Sequence, residues 1–253
     1  MQSGGTRRAT VAMAALGSLL TMTTLSACGS AHTGHSGGRE GRPGARATHP
    51  RPVTTTAAPD PTRIPDVGDR LQRAIPADTG QVLTVYGNGN DSPDSTAVLF
   101  TKNGNTWERA ASWPAHNGKL GWTTDHHLGD KRSPVGVFTL TAAGGVLDDP
   151  GTALPYSQDE SYEAPRDWDE SHWHDFDYVI AIDYNRVPGT PPDDAEQPEG
   201  EDKGGGIWLH LDHGSGTSAC VSLSKEAMEY LLRTLDPDRH PVVLMGDRAD
   251  LKG

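Results

Sequence analysis

The side chains best suited to chemistry are a histidine and a cysteine ten positions apart. His210 and Cys220 lie in the segment His-Leu-Asp-His-Gly-Ser-Gly-Thr-Ser-Ala-Cys. A thiolate is a strong nucleophile, and a neighbouring imidazole is the usual base that generates it. His213 is a rival base, and Asp212 is a candidate to orient either ring. Spacing alone leaves two interpretations open: a nucleophile with its base, or a buried structural cysteine near a surface histidine.

A strand, a turn and a helix are expected to position these residues. Residues 206–211 are predicted as a strand with His210 near its end, and the glycine-rich turn 214–216 would return the chain so that Cys220 lies beside it. A helix is predicted next, with Ser224 as its N-cap and Asp236-Pro237 at its end. Backbone N–H groups near Cys220 would then face a developing oxyanion.

The rest of the chain after residue 75 predicts a mainly β domain. Strands are predicted at residues 81–86, 96–102, 106–113, 136–141, 178–184, 206–211 and 242–245, with a hairpin at Asn103-Gly104. These strands and one prominent C-terminal helix favour a β-sandwich or barrel-like fold in a single domain, residues 76–253. Segments 148–177 and 188–203 are long for connections; the aromatic-rich first one is predicted to flank a substrate, and the second to be mobile.

The first 75 residues predict an export signal and a tether. Arg7 and Arg8 precede an apolar run that ends in Leu-Ser-Ala-Cys28, as in a secretory signal. This ending resembles a bacterial lipobox, which predicts a signal peptide at residues 1–27 and diacylation of Cys28. Residues 28–75 have the composition of a disordered linker. We therefore expect a lipoprotein on the outer face of the cell membrane that reaches into the cell wall, with Cys28 and Cys220 unpaired.

The charge balance excludes one class of partner. The chain carries a net charge of −12, but its first 75 residues are positive by five, so residues 76–253 carry −17. Nucleic-acid binding needs clustered cations. We therefore expect no nucleic-acid partner.

Two sequence motifs resemble those of the L,D-transpeptidase catalytic (YkuD-like) family and follow each other in the order found in that family. One is Gly206-Ile-Trp-Leu-His210 followed by Thr217-Ser-Ala-Cys220-Val-Ser222, and the other, upstream, is Ser133-Pro134-Val-Gly136-Val-Phe138. The resemblance spans most of residues 81–247. It implies the fold of that family and a reaction that needs no cofactor.

The resemblance also implies a substrate and a role for each residue. Cys220 would attack the carbonyl between the third and fourth residues of a peptidoglycan stem peptide, and His210, oriented by the backbone carbonyl of Leu211, would transfer the proton. An amine from a neighbouring stem would resolve the thioester and form a 3→3 cross-link. Water in its place would make the protein an L,D-carboxypeptidase, and a non-catalytic peptidoglycan-binding lipoprotein is a further alternative. Carbapenems acylate the same cysteine in the family.

Several positions around the thiol depart from the family pattern. Ala219 stands where the family usually has glycine, and a positive φ there would cost about 1 kcal/mol. Ser218 replaces a common histidine and Ser222 a common arginine, which weakens the expectation of a substrate carboxylate contact. The residues implied to contact the oxyanion or the substrate are Ala219, Ser218, Thr217, Ser222, Pro134 and Gly136.

Other polar residues offer alternatives. His172, His174 and Asp175 have a spacing found in some zinc sites, and a zinc hydrolase is a third hypothesis. Because no further ligands can be placed, we expect no metal site and a loop interaction surface in its place. Further candidates for lining the cleft or for contacting a substrate carboxylate are His126, His127, Lys131 and Arg132.

Overall fold

A computed structural model describes residues 58–253. Its strands are β1 (Gln81–Gly87), β2 (Asp94–Asn103), β3 (Thr106–His116), β4 (Trp122–Thr123), β5 (Ser133–Pro134), β6 (Gly136–Thr139), β7 (Ala143–Gly145), β8 (Tyr156–Gln158), β9 (Val179–Ala181), β10 (Trp208–Leu211), β11 (Val221–Leu223) and β12 (Val242–Asp247). The α-helices are α1 (Asp69–Ala74), α2 (Lys225–Thr234) and α3 (Arg248–Lys252), and 3-10 helices occupy Glu160–Tyr162, Glu170–His172, Glu201–Lys203 and Pro237–Arg239. The predicted signal peptide, Cys28 and the linker up to residue 57 lie outside the described residues. Within the described range no helix is long and apolar enough to cross a membrane.

Ten of these strands form one mixed sheet in the order β6-β12-β1-β2-β3-β11-β10-β9-β7-β8, and β4 pairs with β5 separately. The pairs β1–β12, β10–β11 and β7–β8 are parallel. The hairpin of β2 and β3 turns at Asn103 and Gly104 as predicted, with Gly104 at φ 57°. The predicted mainly β fold with a prominent helix near the C-terminus is confirmed. Short strands such as β4, β5, β7 and β8 were not predicted.

The centre of the sheet is buried on both faces. On β1, Leu83 and Val85 belong to the larger of two hydrophobic cores, whereas Val82 and Tyr86 belong to the smaller one. Successive side chains of a strand point to opposite faces. A strand covered on both sides is therefore apolar on both sides, and all seven residues of β1 are buried.

Helix α2 covers the larger core and fixes the end of β11. Ser224 caps the helix, since its hydroxyl accepts a hydrogen bond from the Ala227 N–H at 3.3 Å. Met228, Leu231 and Leu232 are fully buried in the larger core, where they join residues of β10 and β11. The predicted helix and its cap are confirmed, and the packing holds the strand that follows Cys220.

The folded domain begins earlier than the sequence analysis expected. Ile64, Val67 and Leu71 are buried in the smaller core, and the Gly68 N–H donates a hydrogen bond to the Leu251 carbonyl at 2.8 Å. Residues 64–75, including α1, therefore belong to the domain and not to the predicted linker. The composition of this segment did not indicate a folded structure, because it contributes only a few apolar side chains and the sheet supplies the surface on which they pack.

The two long segments are both anchored by hydrogen bonds. In segment 148–177, Tyr162 is only 2% exposed, and its hydroxyl donates to Asp193 Oδ1 in the second segment at 3.0 Å. At the start of segment 188–203, the Arg186 guanidinium donates to the carbonyls of Thr190 and Pro191. The second segment was predicted to be mobile because these contacts lie outside its own residues: Arg186 lies just before it and Tyr162 is distant in the chain.

Candidate active site

The register of β10 and β11 places the histidine and the cysteine on one face of the sheet. Leu209 lies opposite Val221 and is buried with it in the larger core. Because side chains alternate along a strand, Trp208 and His210 lie on the other face. Cys220 directly precedes Val221 and falls on this same face. We call the surface formed by Trp208, His210 and Cys220 the strand wall.

Two backbone groups surround the Cys220 thiol. The Trp208 N–H donates to Sγ at 3.4 Å, and the thiol donates to the Gly206 carbonyl with Sγ 3.8 Å from that oxygen. Gly206 has φ 62°, which glycine adopts without strain. Burial raises the pKa of the Cys220 thiol to about 11, although the bond from the Trp208 N–H favours the thiolate; the charge of Asp175 raises the pKa further. The resting thiol is therefore protonated at neutral pH.

The imidazole of His210 is oriented by the backbone. Its Nδ1 lies 2.8 Å from the Leu211 carbonyl oxygen, the contact that the family resemblance implies. A carbonyl only accepts, so Nδ1 carries the proton and Nε2 has the free lone pair in the neutral ring. Burial lowers the pKa of His210 to about 4, against the opposing effects of Asp175 and of the Leu211 carbonyl. A neutral ring is the form that can accept a proton.

Thiol and imidazole thus face the same cleft as a neutral pair. Among the described residues no hydrogen bond joins His210 to Cys220, whose polar contacts are with backbone groups. The shifts of the two pKa values have the same cause, since burial disfavours both the thiolate and the imidazolium. Both groups are therefore uncharged in the resting site at neutral pH.

The turn before Cys220 is held by two hydroxyl groups. Thr217 Oγ1 donates to the Cys220 carbonyl at 2.7 Å, and the fully buried Ser133 donates to the Ala219 carbonyl at 2.6 Å. Ser133 Oγ also accepts from the Gly118 N–H at 2.8 Å. Ala219 does not have a positive φ, so the backbone strain that alanine would cause at this position does not arise.

The upstream motif reaches the site through Ser133. Pro134 pairs with Thr123 in the β4–β5 ladder, and a Cβ on Gly136 would lie 2.7 Å from the Phe138 ring. Neither Pro134 nor Gly136 lines the cleft, so the structure does not bring these two predicted contacts to the site. Ser133 was not predicted as a site residue, although it stands inside the motif and directly precedes Pro134.

Ser222 and Asp212 are also placed differently from the predictions. Ser222 is buried, and its hydroxyl donates to Asp212 Oδ1 at 2.8 Å. His116 Nδ1 lies 2.7 Å from the same oxygen. Burial alone would raise the pKa of Asp212, but the bonds from His116 and Ser222 outweigh it and the pKa is lowered. Ser222 is therefore occupied within the protein, and Asp212 has no bond to His210 or to His213.

The strand wall borders a cleft of about 340 Å³. Its other side comes from segment 148–177, the aromatic segment that was predicted to flank a substrate. We call this side, formed by Trp168, His172, Asp175 and Phe176, the loop wall. The ring centroid of Phe176 lies 5.4 Å from those of both Trp208 and His210. This edge-on contact excludes water from one side of the imidazole and accounts in part for its burial.

The rim of the cleft carries polar and cationic side chains. Thr217 and Ser218, two of the predicted substrate contacts, line it together with Lys131 and with Lys119, which was not predicted from the sequence. Two lysines at the mouth of a site in a strongly acidic chain favour carboxylate ligands. His126 and His127, predicted to line the cleft, and Arg132, predicted to contact a substrate carboxylate, do not line it.

A second polar cluster occupies the same cleft. His172 Nδ1 and His213 Nδ1 lie 2.9 Å and 3.0 Å from the same Oδ2 atom of Asp175. One potential ligand atom from each of the three residues lies within 4.8 Å of the others. His174 is exposed and lies 3.2 Å from Asp177. The structure thus combines His172 and Asp175 with His213 and separates them from His174, the residue paired with His172 by spacing.

Comparison with known proteins places the chain in a family. The profile described as YkuD, L,D-transpeptidase catalytic domain, matches residues 90–244, more than half of the chain. No curated protein matches. Two solved structures are similar at 16% identity: Bd1075 of Bdellovibrio bacteriovorus (73% of this chain, 52% of that one, TM-score 0.38) and the helical cell shape determining protein Pgp2 from Campylobacter jejuni (68%, 49%, 0.41). The chain spans about half the length of these two proteins. From the extent of the profile match, the chain belongs to the L,D-transpeptidase catalytic (YkuD) domain family.

Proposed function

We propose that this protein is an L,D-transpeptidase that passes a peptidoglycan stem peptide through a thioester on Cys220. The observation that carries the proposal is the bond between His210 Nδ1 and the Leu211 carbonyl, in the cleft that also holds the thiol. It leaves His210 Nε2 as an acceptor on the side of the ring away from the backbone. A neutral imidazole in the cleft that holds the thiol can take up the thiol proton as the sulfur attacks an amide carbonyl.

The first half-reaction forms the thioester. As Cys220 Sγ bonds to the stem carbonyl carbon, the thiol proton passes to His210 Nε2 and the carbonyl oxygen becomes an oxyanion. Collapse of this intermediate breaks the C–N bond, and the imidazolium returns the proton to the departing amine of the terminal residue. Burial disfavours separate charges on sulfur and nitrogen, so the site favours the coupled transfer over a resting ion pair.

Backbone donors are available for the oxyanion. The N–H groups of Ala219 and Cys220 donate to no carbonyl among the described residues. Ser133 fixes the peptide unit that carries the Cys220 N–H by binding the Ala219 carbonyl. Donors of this kind stabilise a tetrahedral intermediate by about 2.7–4 kcal/mol each.

The second half-reaction returns the enzyme to its resting state. An amine of a neighbouring stem attacks the thioester carbon, loses its proton to His210, and displaces the Cys220 thiolate, which is reprotonated. Lys119 and Lys131 at the rim suit the carboxylates of the two stems. Water as the second nucleophile would give an L,D-carboxypeptidase, so the fate of the thioester decides between these two activities.

We further propose that the N-terminal cysteine anchors the enzyme outside the cell. In this proposal Cys28 is diacylated after removal of residues 1–27, and the following segment carries the domain toward the cell wall. The supporting observation is the Leu-Ser-Ala-Cys sequence after an apolar run. Metabolic labelling with a fatty acid should mark the wild-type protein and not a Cys28→Ala variant, which should leave the membrane fraction. Equal labelling of both proteins would refute lipidation at Cys28.

The two cysteines provide a matched test of the nucleophile. Intact-mass analysis after incubation with a carbapenem should show one whole-drug adduct, because ring opening by the thiol releases no fragment. The adduct should persist in Cys28→Ala and disappear in Cys220→Ala. Absence of an adduct on the wild-type protein, or its survival in Cys220→Ala, would contradict the proposal.

A second experiment separates cross-linking from trimming. Purified disaccharide-tetrapeptide is incubated with the enzyme, and the products are resolved by mass spectrometry. A transpeptidase gives a dimer linked through the third residues of both stems together with the released amino acid. If the products contain tripeptide but no dimer, the protein is an L,D-carboxypeptidase and not a transpeptidase. If no product and no carbapenem adduct form, the protein is a peptidoglycan-binding protein without this activity.

A further inference from the structure

The cluster of His172, Asp175 and His213 is not explained by the thiol chemistry. The side chains of Asp175 and His213 are 5% and 4% exposed, so both are removed from bulk water. Neither side chain is hydrogen-bonded to Cys220 or to His210. Asp175 bonds to Leu211 through its backbone carbonyl, which accepts from the Leu211 N–H at 2.9 Å. A carboxylate and two imidazoles gathered in a cleft wall need a reason of their own, since burying such groups is costly when they are not satisfied.

His213 is the least satisfied member of the cluster. Both of its ring nitrogens are buried without a hydrogen-bond partner among the described residues. His172 Nδ1 is aligned for a hydrogen bond with Asp175 Oδ2, whereas His213 Nδ1 approaches the same oxygen at 3.0 Å without the alignment that such a bond requires. A buried imidazole that is close to a carboxylate but makes no bond to it points to a third group that binds both.

Distances in the cluster suit a metal ion. Zinc bonds to imidazole nitrogen and carboxylate oxygen are about 2.0–2.2 Å long, so tetrahedral ligand atoms lie about 3.4 Å apart. The two nitrogen–oxygen separations of 2.9 Å and 3.0 Å are slightly shorter, and all three candidate ligand atoms lie within 4.8 Å. Small rotations of three side chains would therefore bring them to binding distance without movement of the sheet.

We propose that His172, Asp175 and His213 bind one divalent transition-metal ion of the Zn²⁺ class. The three residues supply two nitrogens and one oxygen, and the fourth position of a tetrahedral ion faces the cleft, as in sites that hold a water or a ligand. The ion neutralises the buried carboxylate and gives His213 its missing partner. The site does not include His210 or Cys220, so it stands independently of the proposed acyl transfer.

Zinc titration of the full-length, chelator-treated protein tests the site. Isothermal calorimetry on wild type and on His172→Gln, Asp175→Asn and His213→Gln should show one site that each substitution weakens about tenfold or more, because each removes one ligand. His174→Gln is the matched control from the same loop and should bind as wild type does. Histidines outside the described residues, such as His32 and His35, are common to all these proteins and cancel in the comparison.

The Cys220→Ala variant distinguishes this site from adventitious thiolate binding. It should keep the zinc site, and Co²⁺ bound to wild type should lack the near-ultraviolet band of a cobalt–thiolate bond. Unfolding curves recorded with chelator identify any variant that fails to fold; in that event the conservative Asp175→Asn and the partly exposed His172→Gln decide the test. No zinc site in wild type, unchanged binding in the folded ligand variants, or loss of binding in Cys220→Ala would overturn the proposal. Carbapenem acylation is measured separately, so failure of either proposal leaves the other intact.

Discussion

His210 and His213 lie three residues apart, and their rings are nearly parallel with centroids 6.2 Å apart, yet their surroundings differ. His210, on the strand wall, is fixed by a carbonyl of its own strand. His213 lies against the loop wall and faces a carboxylate without bonding to it. A backbone partner fixes one tautomer whatever occupies the cleft. In a cluster of side chains, the tautomer and protonation state of each imidazole depend on the group that binds there. The two histidines therefore suit different tasks.

The largest loss of acylation rate is expected from a substitution in the strand wall. His210→Gln should slow carbapenem acylation about 10²–10⁴-fold, because the general base is removed while the thiol stays. The rate of adduct formation by mass spectrometry measures the loss, and His127→Gln, which lies outside the cleft, is the control. His213→Gln should have a smaller effect. If it slowed acylation as much as His210→Gln does, the base would be misassigned and the contrast between the two histidines would fail.

The buried imidazole should also make stability depend on pH. His210 titrates at about 4 in the folded protein and near its ordinary value of 6.5 when unfolded, so only the unfolded chain binds this proton between those values. The free energy of unfolding should therefore fall as the pH drops from 6.5 to 4, by up to about 3 kcal/mol from this residue. Denaturant unfolding of wild type and His210→Gln across this range measures the difference. Parallel pH profiles for the two proteins would mean that His210 is not buried as described.

Loss of the Ser133 hydroxyl should be costly at the turn that carries the thiol. Ser133→Ala leaves the Ala219 carbonyl and the Gly118 N–H without their partner, and we expect the free energy of unfolding to fall by about 1–3 kcal/mol. Acylation should slow as well, because the Ala219 peptide unit is no longer fixed. Chemical denaturation and adduct kinetics measure the two effects, with the exposed Ser215→Ala as the control. A variant as stable as wild type would show that the turn does not depend on this hydroxyl.

The smallest changes in stability and acylation are expected from a substitution at Tyr162, which anchors the segment that carries the loop wall. Tyr162→Phe removes the hydrogen bond to Asp193 and should lower the free energy of unfolding by about 1 kcal/mol. Acylation should change less than in Ser133→Ala, because the strand wall is untouched. Tyr230→Phe, on an exposed tyrosine of α2, is the matched control. A larger loss of acylation from Tyr162→Phe than from Ser133→Ala would show that the loop wall, and not the turn, positions the thiol.

Much of the fold was predictable because its signals are local. The Ser224 cap, the apolar spacing of α2 and the Asn103-Gly104 turn each act within a few residues, and each was located from sequence. The start of the domain was placed too late, because burial of Ile64 depends on a sheet formed by distant residues. The small strands β4 and β5 were missed for a different reason: a strand of two residues is too short to show a periodic pattern.

The sequence by itself determined the chemical types at the site and, through the motifs around His210 and Cys220, the family to which the chain belongs. Only the tertiary structure decided which of the nearby polar residues share the cleft. Ser222 is bonded to Asp212 and is not available to a substrate, whereas Ser133, from a distant strand, supports the turn before Cys220. His174 lies beside Asp177 and apart from His172. The physical reason is that a side chain's neighbours depend on strand register and loop packing, and both bring together residues that are far apart in the chain.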